Sequence, residues 1–180
     1  MSEAFDREKL IREKIGKTEE RAVMSLSLIR EIVLEYLLGE KGYSREEIET
    51  DRIFDITVDG RTERTAVDYL MKIGGKRFMA IKCSPGALES RERHLISFAR
   101  VVDAYQIPYA LVTDGFQARL LDTITGKLVS EGLDSIPEAA QARDVVKTAE
   151  LIPYPAERME KEKRILLAFE SIKCTEESCE

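Results

Sequence analysis

Two charged residues on neighbouring predicted strands, Asp68 and Lys82, are the strongest candidates for chemistry in this sequence. An aspartate on a rigid strand can hold Mg²⁺, and a nearby backbone carbonyl can add a ligand. A lysine beside the metal can stabilise an attacking hydroxide or the negative charge that develops on a phosphate. An ordinary cross-strand ion pair, which contributes roughly 0.2–1 kcal/mol, explains the same spacing and is the simpler interpretation of spacing alone.

Other catalytic mechanisms find little support in the sequence. The one histidine, His94, falls on a charged predicted helix with no nucleophile elbow nearby, which argues against a Ser-His-Asp or Cys-His mechanism. The three cysteines, Cys83, Cys174 and Cys179, are too few for a disulfide framework and are not spaced as a zinc site. Any catalysis would therefore depend on carboxylates and lysine.

A predicted β-hairpin positions the two candidate residues, with strands Ala66–Ile73 and Arg77–Cys83 around two glycines. Apolar residues alternate along both strands, which predicts one buried face and one charged face. A two-residue turn would mix apolar and charged positions on each face, whereas a loop with an odd number of residues keeps each parity together. We therefore predict an odd loop, which places both candidate residues on the same face.

The remaining elements follow from hydrophobic periodicity, capping residues and turn pairs. A strand, a helix and a further strand at this separation imply a parallel crossover. The order predicts an α/β fold around a mixed sheet flanked by helices. The predicted elements are a helix Thr18–Leu38 with Thr18 as N-cap, a helical turn opened by Ser44 and Glu47, a strand Arg52–Val58, a helix Leu88–Tyr105, strands Pro108–Thr113, Ala118–Asp122 and Lys127–Val129, and helices Pro137–Val146 and Pro155–Ile172.

Composition is that of a soluble protein long enough for a substantial core, with 43% apolar and 34% charged residues among 180. No apolar run is long enough to span a bilayer and no leader opens the sequence, so we expect no membrane partner and a cytoplasmic location. Net charge is −6, yet residues 61–100 contain nine basic and four acidic residues. That segment carries +5 and the remainder −11, a distribution that suits a polyanion at the centre, although a solvated charged surface explains it as well.

The segments Arg64–Tyr69 and Gly75–Cys83, taken together, resemble the N-terminal nuclease domain of type I restriction enzyme R subunits, within the PD-(D/E)xK nuclease superfamily. Further segments fit the same family in order and spacing: residues 17–20, Gly42-Tyr43, residues 107–115, residues 121–127 and Ile136-Pro137. The resemblance covers residues 18 to 137 and implies a restriction-endonuclease-like α-β-β-β-α-β core.

The resemblance assigns roles to individual positions. Asp68 matches the metal-binding aspartate, Lys82 the motif lysine, and the carbonyl of Ile81 a backbone metal ligand. Glu20 falls where many relatives place an accessory acidic residue. The implied cofactor is Mg²⁺ or Mn²⁺ and the implied partner is DNA, together with restriction-system subunits or a second copy of the chain. The basic residues expected to contact nucleic acid are Arg64, Lys76, Arg77, Arg91 and Arg93.

One position departs from the family motif, because Ala80 stands where the second acid of the triplet belongs. Alanine cannot coordinate a metal, so the expected two-carboxylate site has one carboxylate. In one hypothesis a displaced acid (Glu20, Asp55 or Glu89) restores a metal-dependent endonuclease, and in a second the chain is an inactive nuclease-derived module that binds DNA or a protein partner. In a third, the sheet only supports an interaction protein and the basic residues at its centre are incidental. A nuclease-type pocket requires Asp68 and Lys82 to face one cavity lined by positive charge.

The predicted domain organisation is a charged extension over residues 1–17, a restriction-endonuclease-like domain over 18–137, C-terminal helices over 138–172 and a mobile tail over 173–180. The last predicted helix, Pro155–Ile172, either packs on the domain or forms a dimer contact, and the sequence leaves both alternatives open.

Overall fold

The structure is a computed structural model that describes the backbone of residues 24–177 and the side chains of residues 24–171. Within that range the helices are α1 Leu26–Gly39, α2 Glu89–Val101, α3 Ala139–Thr148 and α4 Ala156–Glu177, with short 3₁₀ turns at Arg45–Glu47 and Leu133–Ser135. The strands are β1 Ile48–Thr50, β2 Ile53–Val58, β3 Arg61–Ala66, β4 Tyr69–Ile73, β5 Lys76–Cys83, β6 Tyr109–Thr113, β7 Ala118–Asp122 and β8 Leu128–Glu131.

A mixed sheet of six strands, in the order β1-β4-β5-β6-β7-β8, forms the centre of the fold. β5 and β6 are parallel, and every other neighbouring pair in this sheet is antiparallel. Because parallel neighbours need a crossover, α2 carries the chain from the end of β5 back to the start of β6. The predicted crossover is confirmed, and α1, β1, β4, β5, α2 and β6 give the α-β-β-β-α-β order.

β2 and β3 form a separate two-stranded hairpin between β1 and β4. The strand predicted at residues 52–58 therefore exists, but it does not join the main sheet. The neighbour of β4 at that edge of the sheet is β1, which has only three residues. The hairpin instead packs against α4.

The β4–β5 hairpin differs from the prediction at its turn. Ile73 pairs with Lys76, so Gly74 and Gly75 form a two-residue turn, and the predicted odd loop is wrong. A β-bulge then shifts the register, with Phe78 as the extra residue, so that Met71 pairs with Met79. Beyond the bulge, odd-numbered residues of β4 pair with odd-numbered residues of β5, as the odd loop predicted. A single extra residue in one strand has the same effect on register as a loop one residue longer.

Both faces of the hairpin are buried, which corrects the prediction of one apolar and one charged face. Tyr69, Met71 and Ile81 pack beneath α1 and α3. Leu70 and Ala80, on the opposite parity, are 1% and 0% exposed and pack against residues of α2 and α4. A central sheet covered by helices on both sides buries both parities of its strands.

Capping determines where α1 begins. Ser25 is its N-cap and accepts a hydrogen bond from the backbone N–H of Leu28 at 3.3 Å. Residues 24 and 25 are not helical, so α1 is not a continuous helix from Thr18, and Thr18 itself lies outside the described residues. The predicted capping box is confirmed, since the N–H of Ser44 donates to Glu47 Oε2 at 2.9 Å and opens a 3₁₀ turn.

α4 packs along α2 and brings two buried carboxylates to it. Glu162 accepts hydrogen bonds from Arg93 and, at 3.2 Å, from Arg100. Glu170 Oε1 accepts a hydrogen bond from Thr65 Oγ1 at 2.8 Å and lies 2.7 Å from His94 Nε2. The helix that the sequence left undecided therefore packs on the domain.

Candidate functional site

Asp68 lies at a bend between β3 and β4, beside the last residues of β5. Its Oδ2 accepts a hydrogen bond from the backbone N–H of Cys83 at 2.8 Å, and Lys82 Nζ lies 3.4 Å from the same oxygen. The two candidate residues therefore meet, as the nuclease interpretation requires. The aspartate is only 5% exposed, however, so its carboxylate is covered rather than open to a solvent-filled cavity.

Arg30 of α1 contacts the other oxygen of this carboxylate. Its Nε lies 3.2 Å from Asp68 Oδ1, and its Nη2 donates a hydrogen bond to Asp51, in the turn between β1 and β2. Both oxygens of Asp68 consequently face a cation, with Arg30 on Oδ1 and Lys82 on Oδ2. Removing the partners of a covered carboxylate would leave an uncompensated charge, so this arrangement fixes α1 against the end of the sheet.

The electrostatics of the neighbouring groups follow from burial and from these charges. Burial by itself disfavours the charged form of Arg30, but the hydrogen bond to Asp51 and the charge of Asp68 outweigh it and raise the pKa of the guanidinium. Burial, reinforced by the charge of Asp68, raises the pKa of the Cys83 thiol. Cys83 is therefore a protonated, buried side chain without nucleophilic character at neutral pH.

The described residues around Asp68 do not fit Mg²⁺. This ion prefers octahedral oxygen coordination with one or two carboxylates and several waters. Asp68 is the single carboxylate of the hairpin, and both its oxygens already face cations. Ile81 is fully buried, and it pairs with strands on both sides of β5. Within the described part of the chain no group of three or more His, Cys, Asp or Glu side chains could hold a metal.

Of the acids considered as replacements, the two that the structure describes do not join Asp68. Asp55 is exposed on β2, opposite Arg64 of β3. Glu89 begins α2 and its carboxylate lies 3.6 Å from Arg119. Glu20, the accessory acid expected from the resemblance, lies outside the described residues.

Comparison with known families gives a match over most of the fold just described. The family described as type I restriction enzyme R protein N terminus (HSDR_N) matches residues 27–137. The chain belongs to this family. The matched region begins in α1 and ends just before α3, so it contains the whole mixed sheet and its crossover helix. No curated protein and no solved structure matched the chain in the corresponding searches.

The family membership confirms the fold class predicted from the sequence, a restriction-endonuclease-like α/β fold with additional C-terminal helices. Position 80, where the resemblance expects the second acid of the motif, lies inside the fold. Ala80 pairs with Leu70 on one side and Ala110 on the other, inside the core beneath α2. The position at which the resemblance expects the second acid is therefore part of the hydrophobic core of this chain.

Two of the five basic residues expected to contact nucleic acid are held in intramolecular ion pairs. Arg77 Nε donates to Glu49 at 2.6 Å and Arg77 Nη1 donates to Asp103 at 2.9 Å. Arg93 binds both carboxylate oxygens of Glu162. Much of the positive charge concentrated between residues 61 and 100 is thus neutralised by acids from other parts of the fold.

The other three expected contacts, Arg64, Lys76 and Arg91, form no side-chain hydrogen bond or ion pair with the residues that the structure describes. Arg64 is exposed on β3, which leads into Asp68, and Arg91 is half-buried in the first turn of α2, after β5. Lys76 begins β5 and lies six residues from Lys82, or about 20 Å along an extended strand. Arg64 and Arg91 therefore lie on the elements that precede Asp68 and follow Lys82 in the chain, whereas Lys76 lies at the opposite end of β5.

Sequence reasoning missed Arg30 and Asp51, the two residues that complete the surroundings of Asp68. Neither lies on the hairpin, and both are joined to it only by the packing of α1 and of the β1–β2 turn. Asp51 has a φ of 51°, a conformation that Asp tolerates better than most residues, but no spacing in the sequence places it beside Asp68. As for membranes, none of the described helices combines the length and apolar character needed to cross a bilayer.

Proposed function

We propose that this chain is a DNA-binding module that keeps the nuclease fold of its family and does not hydrolyse phosphodiesters at Asp68. One observation carries the proposal: Arg30 and Lys82 each contact one oxygen of the Asp68 carboxylate. A carboxylate whose two oxygens face two protein cations has no free anionic oxygen for a hard divalent metal. Metal-dependent hydrolysis would first require these side chains to separate.

The core packing of position 80 supports the loss of hydrolysis independently. The family motif supplies its second acid there, and this chain has a fully buried methyl group instead. With one carboxylate removed and the other neutralised, the hairpin has no pair of anionic ligands to bind a metal and orient a water molecule.

DNA is the partner that best suits the exposed cations and the family. The family belongs to restriction enzymes, whose substrate is DNA. Arg64 and Arg91 lie on the elements that adjoin Asp68 and form no ion pair within the described residues. Unpaired arginines can contact phosphates, and each such contact releases condensed counterions and strengthens binding at low salt.

A salt-dependent binding titration tests the DNA-binding half of the proposal. We expect the double variant Arg64→Ala/Arg91→Ala to bind duplex DNA more weakly and to reduce the slope of log K against log salt by about 2, since each phosphate contact contributes about 0.9. The matched control is Arg45→Ala/Arg158→Ala, which removes two exposed arginines from other elements. Equal losses in both double variants would show that net charge alone matters, and no binding at low salt would overturn the DNA-binding role in favour of a protein partner, either restriction-system subunits or a second copy of the chain.

A plasmid-nicking assay tests the non-hydrolytic half. We expect the wild-type protein in Mg²⁺ or Mn²⁺ to nick supercoiled plasmid no faster than Asp68→Ala or Lys82→Ala. Metal-dependent nicking that both substitutions abolish would identify a working endonuclease site and overturn this half of the proposal.

A further inference from the structure

Arg30 joins two carboxylates from separate turns of the chain. Its Nη2 donates to Asp51 Oδ1 and its Nε lies 3.2 Å from Asp68 Oδ1. The Asp51 turn is itself attached to Asp68, because the N–H of Asp51 lies 3.5 Å from the Asp68 carbonyl oxygen. The guanidinium therefore lies between two acids that are close neighbours through the backbone as well as through Arg30.

Two carboxylates on one shared cation are the donor set that Mg²⁺ and Mn²⁺ take in proteins, with water completing the coordination. Asp51 thus supplies the second acid that the hairpin lacks at position 80. It reaches the site from the β1–β2 turn, whereas the family motif would reach it from β5. Here the shared cation is a side chain, and the charges of Arg30 and Lys82 balance those of Asp51 and Asp68.

We propose that Arg30 is the resident cation of a two-carboxylate site formed by Asp51 and Asp68, and that it takes the place of a divalent metal in this chain. The native site is therefore indifferent to divalent cations. Without the guanidinium, Lys82 is the one cation that the described residues leave paired with Asp68, and a divalent ion becomes the ligand that restores charge balance.

The position of Arg30 is fixed by contacts that do not depend on the two acids. The Tyr69 hydroxyl donates a hydrogen bond of 2.7 Å to the Arg30 carbonyl, and the guanidinium lies 5.9 Å from the centre of the Tyr69 ring. Arg30 Nε is buried and has no hydrogen bond of good geometry within the described residues, although it lies within ion-pair distance of Asp68. This nitrogen therefore acts on Asp68 through charge and proximity, as a metal ion would, rather than through an aligned hydrogen bond.

The test compares wild type with Arg30→Met, which keeps an unbranched apolar stem and removes the charge. Thermal midpoints are measured without metal and with millimolar MnCl₂ or CaCl₂, and bound Mn²⁺ is counted from the loss of the free-ion electron paramagnetic resonance signal. Arg45→Met, which removes an exposed arginine elsewhere, is the matched control. Asp51→Asn and Asp68→Asn are each added to Arg30→Met to locate the binding.

We expect no metal response from wild type or Arg45→Met. We expect Arg30→Met to have a lower midpoint, to bind one Mn²⁺ and to regain at least about 2–4 °C with metal, the shift that corresponds to roughly 1 kcal/mol in a protein of this size. Either added asparagine should abolish that gain. If Arg30→Met folds only when refolded with Mn²⁺, the proposal is equally supported.

Two results would overturn the proposal. The first is a rise in the thermal midpoint of the wild type with metal that Asp68→Asn removes. The second is an Arg30→Met protein that neither binds Mn²⁺ nor becomes more stable with it, or that fails to refold both with and without Mn²⁺. The inference deepens the non-hydrolytic half of the proposed function and is tested without DNA. A protein that binds no DNA but shows the expected metal responses would therefore overturn the DNA-binding role alone. A wild type that nicks plasmid through residues other than Asp68 would likewise leave the role of Arg30 intact.

Discussion

The hydroxyl group of Tyr69 donates a hydrogen bond of 2.7 Å to the backbone carbonyl of Arg30, and so joins the first residue of β4 to the first half of α1. Because Tyr69 directly follows Asp68, this bond holds the helix that carries Arg30 in register with the carboxylate that Arg30 neutralises. Burial raises the pKa of Tyr69 to about 12, so the hydroxyl remains a donor throughout the physiological range.

Tyr69→Phe should lower the free energy of unfolding by about 1 kcal/mol at neutral pH, the usual net value of one hydrogen bond. It should also change the pH dependence. The folded-state pKa of Tyr69 is raised from 10.0 to about 12, so its contribution is present below pH 10 and is lost as the pH rises towards 12. Urea unfolding at neutral and alkaline pH measures both effects, and Tyr69→Phe should lose less stability than wild type on the alkaline side. Tyr109→Phe is the control, since its hydroxyl forms no hydrogen bond within the described residues; an equal loss there would contradict the assignment.

Ala80→Glu should not restore a metal site and should strongly destabilise the protein. Ala80 is fully buried between Leu70 and Ala110, so an ionised carboxylate there would cost about 3–5 kcal/mol. Ala80→Met separates volume from charge, because overpacking alone costs about 1–3 kcal/mol. Circular dichroism and urea midpoints of the two variants make the comparison. A folded Ala80→Glu protein as stable as Ala80→Met would place position 80 at the surface of a site instead of in the core.

Glu162→Gln should weaken the attachment of α4 to α2. It should also make the free energy of unfolding depend less on pH in the acidic range. Burial alone favours protonated Glu162, but hydrogen bonds and charges from Arg93, the charge of Arg100 and a hydrogen bond from Tyr154 outweigh it and lower its pKa from 4.5 to about 2. A depressed pKa stabilises the fold above pH 4.5, and that stability is lost as the pH falls towards 2.

With solvent screening taken into account, we expect Glu162→Gln to cost about 2 kcal/mol at neutral pH, with a smaller further loss on acidification than in wild type. Unfolding titrations between neutral pH and pH 3 measure both quantities. Glu157→Gln, an exposed glutamate on the same helix, should leave the curve unchanged. Parallel curves for wild type and Glu162→Gln would contradict the assigned role.

Gly75→Ala should destabilise the hairpin by about 1–2 kcal/mol. Gly74 and Gly75 have φ values of 56° and 80°, the left-handed pair that a two-residue hairpin turn requires, and a Cβ at Gly75 would be strained although it meets no atom. Gly86→Ala is the control, because Gly86 has no left-handed φ and a Cβ there would only approach Ser84 Oγ at 4.0 Å. Differential scanning calorimetry should show a lower midpoint for Gly75→Ala and an unchanged or higher one for Gly86→Ala. The opposite ranking would be incompatible with the turn.

The hairpin shows how far the sequence could predict local structure. Alternation of apolar residues reports which side chains share a face, and the structure confirms that parity for Tyr69, Met71 and Ile81. Alternation cannot tell a longer loop from a bulge, because either adds one residue to one strand. The structure has a bulge. Phe78, the bulged residue, lies in the same hydrophobic cluster as Met79 and stacks on Tyr43, with ring centres 6.3 Å apart.

The surroundings of Asp68 show where prediction from the sequence ended. Its position on the same face as Lys82 follows from strand alternation, which is local and periodic, and was predicted. Its contact with Arg30 depends on how α1 rotates on the sheet, and no spacing along the chain records that rotation. The same limit applies to charge, since a segment of net +5 is neutralised in three dimensions by acids such as Glu49 and Glu162 from elsewhere.

Because α4 packs on α2, the folded domain extends beyond the region that matches the family. The family match stops at residue 137, whereas the carboxylates that satisfy Arg93, Arg100 and His94 come from residues 162 and 170. A fragment trimmed to the family boundary would present an uncovered apolar flank of α2 together with cations stripped of their partners. Expression boundaries, and any attempt to transplant this domain into another protein, should therefore follow the helix that closes over α2 rather than the limits of sequence similarity.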